Sequence, residues 1–120
     1  MSEQNTLIKF GHKFQTKVIS SLLGDKVFLQ TICDILEPEY FDSDSNKWIS
    51  QTIRDYFFEY KTAPTLEVMK VKIDGIENEI LQVAVVNDLK ESWRLIKSSD
   101  LKFVQEQTLE FCRNQVIKAA

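Results

Sequence analysis

Helix-breaking residues are scarce in this chain, and they separate segments whose apolar residues recur at helical spacing. The sequence contains two prolines and three glycines. Those are too few for the frequent turns of a β-sandwich, so their scarcity favours helices. We expect Pro38 to end one helix, Pro64 to separate two others, and Gly24 to end the first. The sequence therefore predicts an all-α fold with negligible strand content.

The apolar periodicity predicts six helices. In the first, Phe10, Phe14, Val18 and Leu22 recur every four residues as far as Gly24. The other five are predicted over residues 25–36, 45–60, 65–72, 76–98 and 101–120.

Polar residues that favour helix starts precede several of these segments. Asp25 and Thr65 are predicted to cap the second and fourth helices, and the polar run over residues 42–46 offers caps for the third. The apolar stripes of the first three helices predict a shared core. We expect that core to contain Phe14, Val18, Leu22, Phe28, Ile32, Trp48, Ile49, Ile53 and Phe57.

The last two predicted helices are long and are joined by only about three residues, Ser98, Ser99 and Asp100. Such a short connection predicts an antiparallel helical hairpin. We therefore expect a small helical bundle in residues 1–74, followed by a long hairpin in residues 75–120, with both parts in one structural unit.

The apolar stripes of this hairpin are too extensive for the partner helix and a small bundle to cover both. They predict pairing of hairpins between chains. The expected interface residues are Leu81, Val85, Leu89, Trp93, Ile96, Leu101, Val104 and Phe111. A second apolar stripe, in residues 76–84, needs either the first four helices or another subunit to cover it.

Catalytic chemistry is sparse in this sequence. Phosphate-binding glycine loops are missing, and His12 is the only histidine, so we expect no catalytic residue, no cofactor site and no metal site.

Cys33 and Cys112 are isolated and are expected to be reduced, buried thiols of a cytoplasmic protein. The chain has no apolar run of the roughly 20 residues that a membrane span needs. An acidic cluster is best explained as helix-capping carboxylates: Glu37, Glu39, Asp42 and Asp44.

The helical pattern still continues through the last residues, Val116 to Ala120, without a capping residue. Domain ends usually fray through a polar tail or stop at a cap. The pattern therefore indicates a fragment of a longer chain, or a helix that continues into a linker.

Several segments together resemble one protein family. They are Gln15 to Asp25, Ile35-Leu36-Glu37-Pro38-Glu39-Tyr40-Phe41, Asn46-Lys47-Trp48-Ile49, Tyr60-Lys61-Thr62-Ala63-Pro64-Thr65, and Gln105-Glu106 followed by Cys112. In order and spacing they resemble the N-terminal domain of DnaB-type hexameric replicative helicases, closest to those of T4-like bacteriophages. The likeness extends from about Phe10 to Ala120. The chain departs from bacterial members at Gln15, where an acidic residue often opens the first helix, and it lacks the family's ATPase domain.

The resemblance implies a role in assembly. In that family the N-terminal domain forms a collar of paired hairpins above a ring of ATPase domains and recruits primase. The resemblance thus implies dimers within a hexamer, binding of primase and helicase loader, and a location in the cytoplasm of a phage-infected bacterium. ATP and Mg²⁺ would bind an ATPase domain beyond Ala120, so this part itself is not an enzyme. The alternative is a complete small helical protein, acting as an interaction or adaptor protein.

We predict that this chain neither hydrolyses ATP nor binds single-stranded DNA tightly. The chain is acidic, with a net charge of −3 and a pI near 5.2, so it offers no cluster of cations that would displace counterions from the phosphates of DNA. It also has no phosphate-binding loop. Fluorescence anisotropy with labelled single-stranded DNA at physiological salt measures the affinity for DNA. A micromolar Kd in a purified sample would contradict it.

Overall fold

The computed structural model describes residues 6–119, and six α-helices make up most of that range. They are α1 (His12–Gly24), α2 (Lys26–Ile32), α3 (Asp44–Tyr60), α4 (Leu66–Asp74), α5 (Glu79–Arg94) and α6 (Leu101–Ala119), with short 3₁₀ helices at Leu7–Phe10 and Pro38–Tyr40. No strand occurs in the described range, so the predicted all-α class is confirmed. The part of the expected bundle in residues 1–5, and the expected continuation of the last helix into Ala120, lie outside the described residues.

Helix α1 is the central element of the fold. It packs against α2, α3, α5 and α6. Its apolar residues Val18 and Ile19 are buried, and so are the small polar residues Ser20 and Ser21 on its other sides. Because these side chains are small, neighbouring helices can approach α1 closely around most of its circumference. The chain enters α1 through Gly11, whose φ of 93° lies in the region that favours glycine.

The predicted antiparallel hairpin of α5 and α6 is not confirmed. Helix α5 packs mainly on α3 and α1, whereas α6 packs mainly on α1 and α2, and the two make few contacts with each other. The physical reason is that α1 is buried on several sides and contacts both helices. The hydrophobic core is one cluster with members from all six helices, so it crosses the expected boundary at residue 74 without interruption.

Side-chain caps set several helix starts, as predicted. The Asp25 carboxylate accepts a hydrogen bond from the Phe28 amide at the start of α2, and the Thr65 hydroxyl accepts one from the Val68 amide at the start of α4. Helix α3 begins after Ser43, within the predicted polar run, and the Ser43 hydroxyl accepts a bond from the Asn46 amide. These local bonds satisfy amide groups that have no partner within the helix.

Two helices are shorter than predicted. Helix α2 ends at Ile32 instead of continuing to residue 36. The chain beyond it forms a turn, in which the Ile35 amide donates to the carbonyl three residues before it, that of Ile32. Helix α5 begins at Glu79 rather than residue 76, because the Asn78 side chain accepts a bond from the Leu81 amide and caps the helix there.

The predicted core is confirmed for seven of its nine residues. The buried members are Val18, Leu22, Phe28, Ile32, Ile49, Ile53 and Phe57. Phe14 and Trp48 are half-buried and pack against the edge of the same core. Sequence periodicity thus identified the apolar sides of α1 to α3 correctly.

We predict that Ile53→Ala destabilises the fold strongly. Ile53 is fully buried in α3, so truncation removes apolar contacts and leaves a cavity, at a cost of about 2–5 kcal/mol. Chemical denaturation followed by circular dichroism measures the free energy of unfolding. The matched control is Val27→Ala in α2, where the side chain is 71 % exposed and the expected change is within about 0.5 kcal/mol. Equal effects of the two substitutions would contradict the assigned core.

Candidate interaction surface of α4 and α5

The eight residues predicted to form an interface fall into two groups. Four are buried in the chain's own core: Val85, Leu89, Val104 and Phe111. The other four are half-buried: Leu81, Trp93, Ile96 and Leu101. The sequence argument assumed that a single chain leaves the apolar stripes of α5 and α6 uncovered. For the four buried residues this assumption is wrong, because α1 packs on both α5 and α6.

Ile96 owes its partial burial to a contact with the end of α1. A Cβ atom placed on Gly24 would lie only 2.7 Å from the Cγ1 atom of Ile96. The lack of a side chain at Gly24 therefore leaves the room that Ile96 occupies. Of the predicted interface residues on α5, Leu81 and Trp93 thus remain as the accessible ones.

Trp93 lines an apolar groove between α4 and α5, which we call the α4–α5 groove. Its volume is about 460 Å³. The residues that line it are Leu66, Lys70, Ile73, Asp74, Val86, Leu89, Lys90 and Trp93. Five of these are apolar, and three carry a charge. No ion pair within residues 6–119 involves any of those three charged side chains.

The outward side of α5 continues this apolar surface toward the start of the helix. Ile80 is 84 % exposed and Val83 is 59 % exposed. We call these two residues the α5 outer face. Val83 and Val86 line one shared hollow with Ile73, so the outer face adjoins the α4–α5 groove. The sequence pattern predicted that either the first four helices or another subunit covers residues 76–84, and nothing within residues 6–119 covers Ile80 and Val83.

Hydrogen bonds from α1 and α3 hold α5 in place behind this surface. The Ser20 hydroxyl donates to the Ser92 carbonyl at 2.6 Å, and the Ser45 hydroxyl donates to the Asp88 carboxylate. The Ser92 hydroxyl in turn donates to the Asp88 carbonyl at 2.9 Å. Since hydrogen bonds in buried surroundings are strong and directional, they fix the rotation of α5 about its axis. This rotation turns Ile80 and Val83 toward solvent.

Helix α4 forms the other wall of the groove and is mounted mainly on α5. Met69 and Ile73 are buried and anchor it. At Ile73, which lines the groove, the carbonyl accepts a hydrogen bond from the Gln82 side-chain amide at 3.0 Å and another from the Ile76 amide at 2.9 Å. The Gln82 bond ties α5 to the last turn of α4 and so holds the two walls of the groove together.

An aromatic cluster surrounds Phe111 of α6. The rings of Phe10 and Phe14 stack with centroids 4.5 Å apart, and Tyr40 meets Phe111 edge-on at 5.3 Å. The Lys9 ammonium lies 5.6 Å from the centroid of the Phe111 ring. These contacts pack the 3₁₀ turn around Tyr40 and the start of the described chain against α6.

Burial shifts the titration of both cysteine thiols. Burial raises the pKa of the Cys33 thiol, and burial raises the pKa of Cys112 from its ordinary value of 9.0 to about 12. Both thiols are free and buried, as predicted, and are protonated at neutral pH. His12 is exposed at the start of α1. Within residues 6–119, no three side chains of His, Cys, Asp or Glu converge as ligands of a metal ion.

Comparison with known proteins gives no relative for this chain: no protein-family model, no curated protein and no solved structure matches it. In the part of the chain that the structure describes, none of the helices has the length and apolarity needed to cross a lipid bilayer.

We predict that neither thiol reacts readily in the folded protein. Both are buried, so Ellman's reagent should modify them only after unfolding, when two thiols per chain react. Cys33→Ala isolates the reaction of Cys112.

The native state also holds the Cys112 proton more tightly than the unfolded state. Its stabilising contribution is therefore complete below pH 9.0 and is lost as the pH rises toward about 12. Rapid modification of Cys112 in the native protein would contradict its placement.

Proposed function

We propose that this chain is a protein–protein interaction module that also associates with itself. The observation that carries this proposal is the apolar surface formed by the α5 outer face and the α4–α5 groove. Large apolar side chains exposed next to one another are typical of interaction sites on folded proteins. The polar bonds behind α5 support the same proposal, because they present this surface on a rigid helix.

The specific form of the proposal is the N-terminal collar domain of a DnaB-type replicative helicase, as in phage replication. The resemblance of the packing positions from Phe10 onward supports it. The departure at Gln15 is compatible with this assignment. The Gln15 side-chain oxygen accepts a hydrogen bond from the Asp42 amide at 2.8 Å, and a carboxylate at the same place could accept that bond equally.

In this role the chain would join dimers within a hexamer and bind primase and helicase loader in the cytoplasm of an infected bacterium. ATP and Mg²⁺ would belong to an ATPase domain beyond Ala120. The alternative is a stand-alone helical adaptor. Sequencing the source gene past Ala120 separates the two: a phosphate-binding Walker A motif downstream supports the helicase, and a stop codon directly after Ala120 excludes it.

We predict that self-association depends on the α5 outer face. Replacing Ile80 and Val83 together with Glu should abolish concentration-dependent association in sedimentation velocity, because apolar contact is replaced by like charges on both copies. Association of the wild-type chain should be weak, because no ATPase ring raises the effective concentration. Helix content should not change, because both side chains are exposed.

The matched control is Val27→Glu on α2, a side chain that is 71 % exposed and lies on another helix. This control should associate like the wild type. Charged substitution of Leu89, which is buried, would unfold the chain and cannot serve this purpose. A wild-type chain that is strictly monomeric at millimolar concentration would contradict self-association.

A further inference from the structure

The α4–α5 groove has the form of a docking site for a helix. Helices α4 and α5 form its two walls. Its apolar lining comes from α4, through Leu66 and Ile73, and from α5, through Val86, Leu89 and Trp93. Amphipathic helices bind apolar grooves by inserting residues from one face at i, i+3, i+4 and i+7.

The charges on the groove select among possible occupants. Lys70 on α4 and Lys90 on α5 are exposed and line the groove together with one acidic residue, Asp74. Neither lysine belongs to an ion pair of the described chain. The chain as a whole carries a net charge of −3, so a net positive groove runs against the overall balance. The lining therefore combines an apolar floor with two ammonium groups that pair with no carboxylate of residues 6–119.

We infer that the α4–α5 groove binds an acidic amphipathic helix of another protein. Apolar residues of that helix pack on Trp93, Leu66 and Ile73, and carboxylates beside them pair with Lys70 and Lys90. Trp93 supplies a large, rigid contact area of the kind that dominates binding energy at interfaces. The inference rests on the proposed interaction role, but it concerns a different surface from the α5 outer face.

A second copy of this chain fits the groove less well. A symmetric pairing of two such grooves places two linings of net positive charge against each other, and like charges across an interface oppose binding. An acidic partner removes this repulsion and pairs the lysines. The charge pattern therefore favours a heterologous partner.

The test uses two synthetic peptides of about four helical turns, which differ only in charge. Both carry leucines at i, i+3, i+4 and i+7; one has Glu at the flanking positions and the other has Lys. Each is titrated into the ¹⁵N-labelled full chain, and amide and indole chemical shifts are followed. The acidic peptide should shift the Trp93 indole and the amides of α4 and of the second half of α5. The basic peptide should bind at least tenfold more weakly, because the net charge of the groove repels it.

Charge reversal supplies the matched variants. Lys70→Glu combined with Lys90→Glu should weaken the acidic peptide about tenfold and strengthen the basic one. Lys26→Glu combined with Lys102→Glu changes the net charge equally at exposed sites on α2 and α6, and it should leave both affinities nearly unchanged. All four lysines are exposed, so the variants should retain the wild-type circular dichroism.

Three results would overturn the inference. They are equal or tighter binding of the basic peptide, peptide-induced shifts that lie outside the groove or do not occur, and shifts of the groove residues that depend on protein concentration alone. The last result would assign the groove to a second copy. Peptide binding by a chain that sedimentation shows to be monomeric would support this inference while contradicting proposed self-association, so the two proposals fail separately.

Discussion

The packing of α1 against four other helices is the interaction on which the rest of the structure depends. A helix that is buried on several sides needs apolar side chains facing its large neighbours and small side chains wherever another helix comes close. In α1, Val18 and Ile19 are the apolar side chains, and Ser20 and Ser21 are the small ones. The Ser20 hydroxyl lies 3.1 Å from the Thr16 carbonyl oxygen within α1 and 2.6 Å from the Ser92 carbonyl oxygen of α5, so its single proton is donated mainly to Ser92. Replacing Ser20 by a larger residue would separate α1 from α5, and replacing it by alanine would remove the bond between them.

The central position of α1 decides which surfaces remain for other molecules. Because α1 covers the inner stripes of α5 and α6, Val85 and Val104 become part of one core instead of a dimer interface. The same packing turns Ile80 and Val83 outward and leaves Trp93 half-buried at the α4–α5 groove. The apolar surface that α5 exposes is thus a consequence of how its inner side is held. An ion pair at 2.7 Å between Lys17 and Asp100 also ties α1 to the start of α6 and lowers the pKa of the Asp100 carboxyl.

Local chemistry explains why the helix positions could be predicted from the sequence. Each cap is a bond between residues two or three positions apart, as for Asp25 and Thr65, so residue type and spacing are sufficient. Apolar periodicity likewise identifies the buried side of a helix. It does not identify which element covers that side, and for this reason the predicted hairpin is not confirmed. Val85 was correctly recognised as part of an apolar stripe, but the stripe meets α1 and α3 rather than α6 or a second chain.

The groove depends on residues that are distant in sequence, and the periodicity contains little information about it. Trp93 was recognised as an apolar side chain in need of a partner. Lys70 and Lys90 gave no signal, because a lysine on a helix ordinarily faces solvent and only the tertiary arrangement brings these two to one groove. The Gln82 bond to the Ile73 carbonyl, which ties the two walls of the groove together, joins residues nine positions apart in two different helices. Neither a cap rule nor a periodicity rule covers such a contact.

The central position of α1 can be tested directly by nuclear Overhauser spectroscopy on the full chain with labelled Ile, Leu and Val methyl groups. The structure predicts cross-peaks from the methyl groups of Val18, Ile19 and Leu22 to methyl groups of both α5 and α6. Cross-peaks between α5 and α6 along their length, with none from either helix to α1, would contradict the account and would restore the antiparallel hairpin.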